Sequence, residues 1–71
     1  MMCTDTIGAS MLCEVTRMTI WLWRQSGLLG QVRLGGKTFI PIRDIAKKMN
    51  TTQKQVIAIA EREGIPLWQV K

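Results

Sequence analysis

The sequence predicts a small, mainly α-helical domain with one β-hairpin, and three observations carry this prediction. Threonine and glycine residues lie at the ends of apolar stretches, where they suit the first and last positions of helices. A Gly-Gly pair separates two β-prone runs. The 71 residues suffice for one small domain, and folding at this size buries about 60% of the unfolded chain's surface.

A first helix is predicted for residues 6–13, with Ile7, Met11 and Leu12 on one side. Cys13 lies in an apolar run and is expected to be a buried thiol. The two cysteines form no CxxC pair and the chain has no histidine. Neither a zinc site nor a disulfide framework is therefore expected, and no cofactor is predicted.

Thr16 is expected to cap a second helix, because its hydroxyl can accept a free backbone amide of the first turn. This helix covers residues 17–26, and Gly27 suits the left-handed position that follows a helix. A helical wheel directs Ile20 and Trp23 toward the core.

Residues 31–40 are predicted to form a β-hairpin, because Gly35 and Gly36 suit a two-residue turn with positive φ. Pro41 ends the hairpin and leads into a third helix of about residues 42–49.

The remaining residues predict a fourth helix. Asn50 suits a left-handed turn, and Thr51 or Thr52 caps a helix that ends near residue 63, before Gly64. Residues 67–71 are expected to form a short extended tail.

The order helix, turn, helix occurs twice at an offset of 36 residues, which places Thr16 on Thr52 and Ile20 on Val56. The prediction is one domain, residues 1–71, with a first unit over residues 6–40 and a second helix-turn-helix-like unit over residues 41–71. If the duplication is complete, a second hairpin would begin at the end of the sequence.

Composition favours a polyanionic partner. Ten basic and five acidic residues give a net charge of +5. The sequence has no histidine, no paired carboxylates and no phosphate loop, so no enzymatic activity is expected. No secretion signal or membrane-spanning stretch is recognised, which predicts a cytoplasmic protein without a membrane partner.

The first half of the chain contains an ordered set of motif residues: Val15, Thr16, Arg17, Thr19, Ile20, Trp23, Ser26, Gly27, Leu28, Gly35, Gly36 and Pro41. This set resembles the pattern of the excisionase and MerR-type winged helix-turn-helix family. The resemblance covers roughly residues 7–47. It implies a winged helix-turn-helix, alone or as two tandem units, in a bacterial or phage regulator of a mobile element: a recombination directionality factor or a transcription regulator.

Such a protein would bind double-stranded DNA on the nucleoid, associate with itself on DNA, and work with a recombinase or a transcription factor. The expected contacts come from the second helix, the hairpin and the first turn of the fourth helix. The candidate DNA-binding residues are Thr16, Arg17, Met18, Trp21, Arg24, Arg33, Lys37, Gln53, Lys54 and Gln55. Each also has a simpler interpretation, as a cap or a solvated surface residue.

One departure from the family pattern supports an alternative function. The helical wheel directs Met18, Trp21 and Leu22 outward, where the family usually has a polar or basic residue at the Leu22 position. Aromatic residues and methionine are enriched in protein interfaces. Either the two units cover each other's outward faces, or this face binds a protein, as in an antiactivator that captures a transcription factor.

Overall fold

The computed structural model describes residues 1–70 and shows the order strand, helix, helix, strand, repeated once. The helices are α1 (Thr6–Cys13), α2 (Arg17–Gln25), α3 (Ile42–Met49) and α4 (Gln53–Glu63). The strands are β1 (Met2–Thr4), β2 (Val32–Leu34), β3 (Lys37–Pro41) and β4 (Trp68–Gln69). They form one antiparallel, curled sheet in the order β2-β3-β1-β4.

Local signals set the helix boundaries, and the predicted boundaries are confirmed to within one residue. Thr52, rather than Thr51, caps α4, because its Oγ1 accepts a hydrogen bond from the Gln55 amide at 3.2 Å. Asp5 caps α1 by accepting from the Gly8 amide at 2.7 Å, which the sequence did not predict.

The predicted hairpin is also confirmed. Gly35 and Gly36 have φ values of +56° and +81°, as the favoured two-residue turn requires at both central positions. Leu34 and Lys37 are paired on either side of the turn.

The amino-terminal strand was not predicted, because three residues are too few for an alternating pattern to show. β1 lies at the centre of the sheet, between β3 and β4. The extended tail pairs with β1. Met1 and Val70 extend this pairing with two backbone hydrogen bonds of 2.8 and 2.7 Å. Lys71, the last residue of the predicted tail, lies outside the described residues.

The outer strand pairs follow the 36-residue offset. In the pairing of β1 with β4, Cys3 lies opposite Trp68. In the pairing of β3 with β2, Phe39 lies opposite Val32. Each residue of the second pair is 36 positions from its counterpart in the first, so the two halves of the sheet have the same register.

The central pair completes an approximate two-fold symmetry. Thr4 lies opposite Ile40, and the offset exchanges these two residues, so the axis passes between them. From here on, the first unit means residues 1–36 and the second unit residues 37–71, the halves that this symmetry relates, in place of the sequence-based bounds 6–40 and 41–71. β2 of the first unit pairs only with β3 of the second, and β4 of the second only with β1 of the first. The two units therefore share a single sheet.

Helices α1 and α3 pack on one face of this sheet, α2 packs on α1, and α4 packs on α3 and α1. Together they enclose the core. Both units contribute fully buried side chains, which include Ile20, Ile40, Ile42, Ile45 and Val56. Successive strand residues point to opposite faces, so Cys3 and Phe39 lie on the other face, in a smaller cluster with Val70. The Trp68 ring packs edge-on against Phe39, with centroids 5.3 Å apart.

The predicted inner side of α1 is wrong in part. Ile7 and Met11 are exposed, and α1 instead buries Gly8, Ala9 and Leu12. α1 contacts the sheet and the other three helices, and small residues on its inner side permit this close approach. Cys13 is half-buried rather than buried. No helix within residues 1–70 has the length and hydropathy needed to cross a membrane.

Candidate nucleic-acid interface

The two helix-helix turns share one geometry. Glu14 and Asn50 end α1 and α3 with left-handed backbone, at φ values of 56° and 58°. Thr16 and Thr52 then begin α2 and α4, and each hydroxyl accepts a backbone amide three residues later at 3.2 Å. Both helices therefore begin in the same way, and the first-turn amides that the caps leave free have no partner within their helix.

The exposed surface of α2 is partly apolar and partly basic. We call it the α2 face: Arg17, Met18, Trp21 and Leu22, which are exposed, and Arg24, which is half-buried. Met18, Trp21 and Leu22 are 65%, 48% and 52% exposed, which confirms their predicted outward direction. Arg17, Trp21 and Arg24 follow one another along the helix and, with Met18, line a shallow depression of about 680 Å³. Thr6 and Thr16 also line it, and Thr6 was not among the predicted site residues.

Arg24 is held in place by the segment that follows α2. Its Nε donates to Oε1 of Gln31 at 3.0 Å, and its Nη2 donates to the same oxygen. The sequence did not predict this contact, since it depends on the path of the chain after Gly27. The guanidinium therefore has a defined orientation at the end of the depression.

The hairpin separates two residues that were expected to act together. Arg33 lies opposite Thr38, whereas Lys37 lies opposite Leu34. Directly opposite residues share a face of a sheet and successive residues alternate, so Arg33 and Lys37 point to opposite faces. Both side chains are exposed, but they do not form one basic patch.

The outer surface of α4 differs from that of α2. We call it the α4 face: Gln53, Lys54, Ala58 and Glu61, all exposed. Gln55 is also exposed, and its Oε1 accepts a hydrogen bond from the Thr51 hydroxyl at 3.0 Å. Large apolar side chains are absent from the α4 face, and its first turn carries amide and ammonium groups.

The α2 face and the α4 face differ at positions that are 36 residues apart in the sequence. Lys54 stands at the position that corresponds to Met18, and Ala58 at the position that corresponds to Leu22. The counterparts of Trp21 and Arg24 are Ile57 and Ala60, which are half-buried and fully buried. The stripe formed by Ile57 and Ala60 packs against the core in the second unit, whereas in the first unit Trp21 is exposed and Arg24 is half-buried.

Charge is also divided unequally. The second unit has seven basic and three acidic residues, a net charge of +4. The first unit has three basic and two acidic residues, a net charge of +1. The second unit is therefore the more positively charged half of the protein.

Size limits how the two units can engage one ligand. The longest dimension spanned by the Cα atoms is 27 Å. Successive major grooves on one side of a DNA duplex are about 34 Å apart. Because 27 Å is less than this spacing, one chain cannot place both α2 and α4 in successive major grooves.

Among the described residues, the backbones of α2 and α4 do not approach each other, so neither unit covers the other's outward face.

Within residues 1–70, no three side chains of the types that bind metals come together. No protein-family model, curated protein or solved structure matches this chain.

Proposed function

We propose that this protein binds double-stranded DNA and that α4 is the helix that enters the major groove. In this proposal each pair of helices is a helix-turn-helix, and the Gly35–Gly36 hairpin is the wing. The observation that carries the proposal is the coincidence of two properties in the second unit. It holds net charge +4 of the total +5, and the outer face of its capped helix is polar and free of large apolar side chains.

The first turn of α4 has the groups that base edges and phosphates require. Gln53 can pair with adenine through two hydrogen bonds, and Lys54 can contact guanine or a phosphate. The amides at the helix amino terminus favour a phosphate, and Lys47 adds an exposed charge on the neighbouring helix. Ala58, one turn further on, is small enough to let the helix backbone approach the groove.

The proposal assigns one DNA site to each chain, because the protein is too short for two successive grooves. Two half-sites then require two copies of the chain, which is the self-association on DNA that the sequence suggests. The resemblance to excisionases and MerR-type regulators supports a role as an architectural or regulatory factor of a mobile element.

Fluorescence anisotropy with labelled duplexes, at low and moderate salt, tests this proposal. One duplex has a random sequence and the other is the DNA that flanks the gene. We expect steeply salt-dependent binding, since each neutralised phosphate releases counterions. Lys54→Ala should weaken binding to both duplexes and reduce the slope of log K against log salt by about 1. Gln53→Ala should change the preference between duplexes.

Arg62→Ala is the matched control. Arg62 is exposed at the other end of α4, with its Nε 3.8 Å from the carboxylate of Glu63, so its removal should change binding little. A larger loss from Arg17→Ala than from Lys54→Ala would move the DNA contact to α2. A folded protein that binds neither duplex at low salt would rule out DNA binding.

A further inference from the structure

We propose that the α2 face binds an acidic amphipathic helix of a partner protein. The partner helix carries two carboxylates about two turns apart, with apolar side chains between them. The carboxylates contact Arg17 and Arg24, and the apolar side chains cover Met18, Trp21 and Leu22. This inference goes beyond the proposed DNA binding and does not depend on it.

The fold itself does not require large apolar side chains at two of these positions. In the second unit, the same turn and the same cap are built with Lys54 and Ala58 in place of Met18 and Leu22. Met18 and Leu22 are more than half exposed and are absent from both core clusters. An apolar patch that is exposed and structurally dispensable is typical of an interaction site.

Charge defines the kind of partner. Arg17 and Arg24 are seven residues apart, about 10 Å along the helix axis, with Trp21 between them. Residues 15–43 include no aspartate or glutamate, so no carboxylate of this segment competes for the two guanidinium groups. Gln31 orients Arg24 through Nε and Nη2. Among residues 1–70, Nη1 has no hydrogen-bond partner, so it can donate to a carboxylate of the partner.

The shape fits a helix better than it fits DNA. The depression of about 680 Å³ lies between the two arginines, beside Met18 and Trp21, and can accept apolar side chains from one face of a helix. Met18, Trp21 and Leu22 supply almost no hydrogen-bonding groups for base edges. Tryptophan, methionine and arginine together are enriched at protein interfaces.

The test uses the full chain and a synthetic, fluorescein-labelled, stapled helical peptide of about five turns. The peptide has glutamates seven positions apart with leucines between them. A second peptide, with lysines in place of the glutamates, is the matched control. Anisotropy titration should show saturable binding of the glutamate peptide and at least about tenfold weaker binding of the lysine peptide.

Two variants separate the apolar and charged contributions. Met18→Gln/Leu22→Ala keeps the net charge and, by analogy with the second unit, the fold, which circular dichroism checks. It should weaken glutamate-peptide binding by at least about tenfold. Although Met18 is among the candidates from the sequence, duplex binding should persist, because the proposed function assigns the DNA contact to α4. Arg17→Glu/Arg24→Glu should reverse the preference, so that the lysine peptide binds and the glutamate peptide does not.

Other outcomes would overturn this inference. Failure of the wild-type chain to bind the glutamate peptide, or equal binding of both peptides, would remove the basis for an acidic helical partner. Loss of duplex binding in Met18→Gln/Leu22→Ala would assign the face to DNA. A wild-type dimer that this variant dissociates in sedimentation would assign it to a second copy of the chain. Peptide binding without any duplex binding would refute the proposed function and retain this inference.

Discussion

The ammonium nitrogen of Lys48 lies 4.5 Å from the centre of the Trp23 ring. Lys48 belongs to α3 of the second unit and Trp23 to α2 of the first, so this cation–π contact joins the two units. Trp23 is half-buried and packs against the core, whereas Lys48 is exposed. The contact therefore attaches α2 to the rest of the protein at the side opposite its exposed face.

Removal of this contact should lower stability. We expect Lys48→Met to reduce the free energy of unfolding by about 0.5–1 kcal/mol, the usual strength of an exposed cation–π pair. Urea denaturation measures the change. Lys47→Met is the control, because Lys47 is also exposed on α3 and has no aromatic partner among the described residues. Equal effects of the two substitutions would show that the contact contributes nothing.

The two threonine caps should contribute nearly equally to the free energy of unfolding, because the further hydrogen bond between the Thr16 and Thr19 hydroxyls, at 3.1 Å, is exposed to solvent. Thr16 and Thr52 accept from the third helical amide at the same distance, 3.2 Å. Thr16→Ala and Thr52→Ala should each cost about 1 kcal/mol, and the serine variants much less. Thermal or urea unfolding tests this. Thr51→Ala, which removes only an exposed hydrogen bond to Gln55, should cost less than either, and a similar cost would argue against the capping explanation.

Gly8→Ala should destabilise the protein more than the loss of a threonine cap or of the cation–π contact. A Cβ atom at Gly8 would collide with Oγ1 of Thr4 and press on Ile65. Thr4 is fully buried, and its hydroxyl donates to the carbonyl of Pro66 at 3.0 Å. We expect a loss of about 2–3 kcal/mol, from overpacking and disruption of this hydrogen bond. Gln25→Ala, at an exposed helical position, should stay within about 0.5 kcal/mol of wild type.

The cysteines should make stability decrease in alkaline solution. Burial raises the pKa of the Cys13 thiol, and Lys48 opposes this shift to a smaller extent. Burial also raises the pKa of Cys3. A raised pKa in the folded state gives stability that is complete below the unfolded pKa, about 8.5, and lost as pH rises through the folded value.

Urea unfolding at about pH 7 and about pH 9 measures this contribution. We expect the wild-type protein to lose more stability between these values than the double variant Cys3→Ala/Cys13→Ala, in which all other titrating groups are unchanged. Equal losses in the two proteins would show that the thiols do not contribute.

Local rules were enough to predict the helices. The caps at Thr16 and Thr52, the left-handed Asn50 and the Gly35–Gly36 turn each act within a few residues, so the sequence shows them directly. The inner side of α1 could not be predicted in this way. It depends on how closely α1 approaches Thr4 and Ile65, and the sequence does not show that distance.

Helix periodicity predicted one part of the candidate site. The helical wheel correctly predicted that Met18, Trp21 and Leu22 point outward. The contact of Arg24 with Gln31 could not be predicted, since it needs the chain to turn back after α2. The packing of the second-unit stripe, which sets the two units apart, also depends on tertiary structure.

The pairing of Met1 with Val70 corresponds to the pairing that encloses the Gly-Gly turn. Met1 and Val70 are 36 positions from Lys37 and Leu34, the pair that encloses the Gly-Gly turn. Residues 1 and 70 therefore stand on either side of a position that corresponds to the Gly-Gly turn. A circular permutant that links residue 70 to residue 1 through a two-residue turn such as Gly-Gly, and begins between Gly35 and Gly36, would keep every strand pairing while reversing the order in which the ribosome makes the two units.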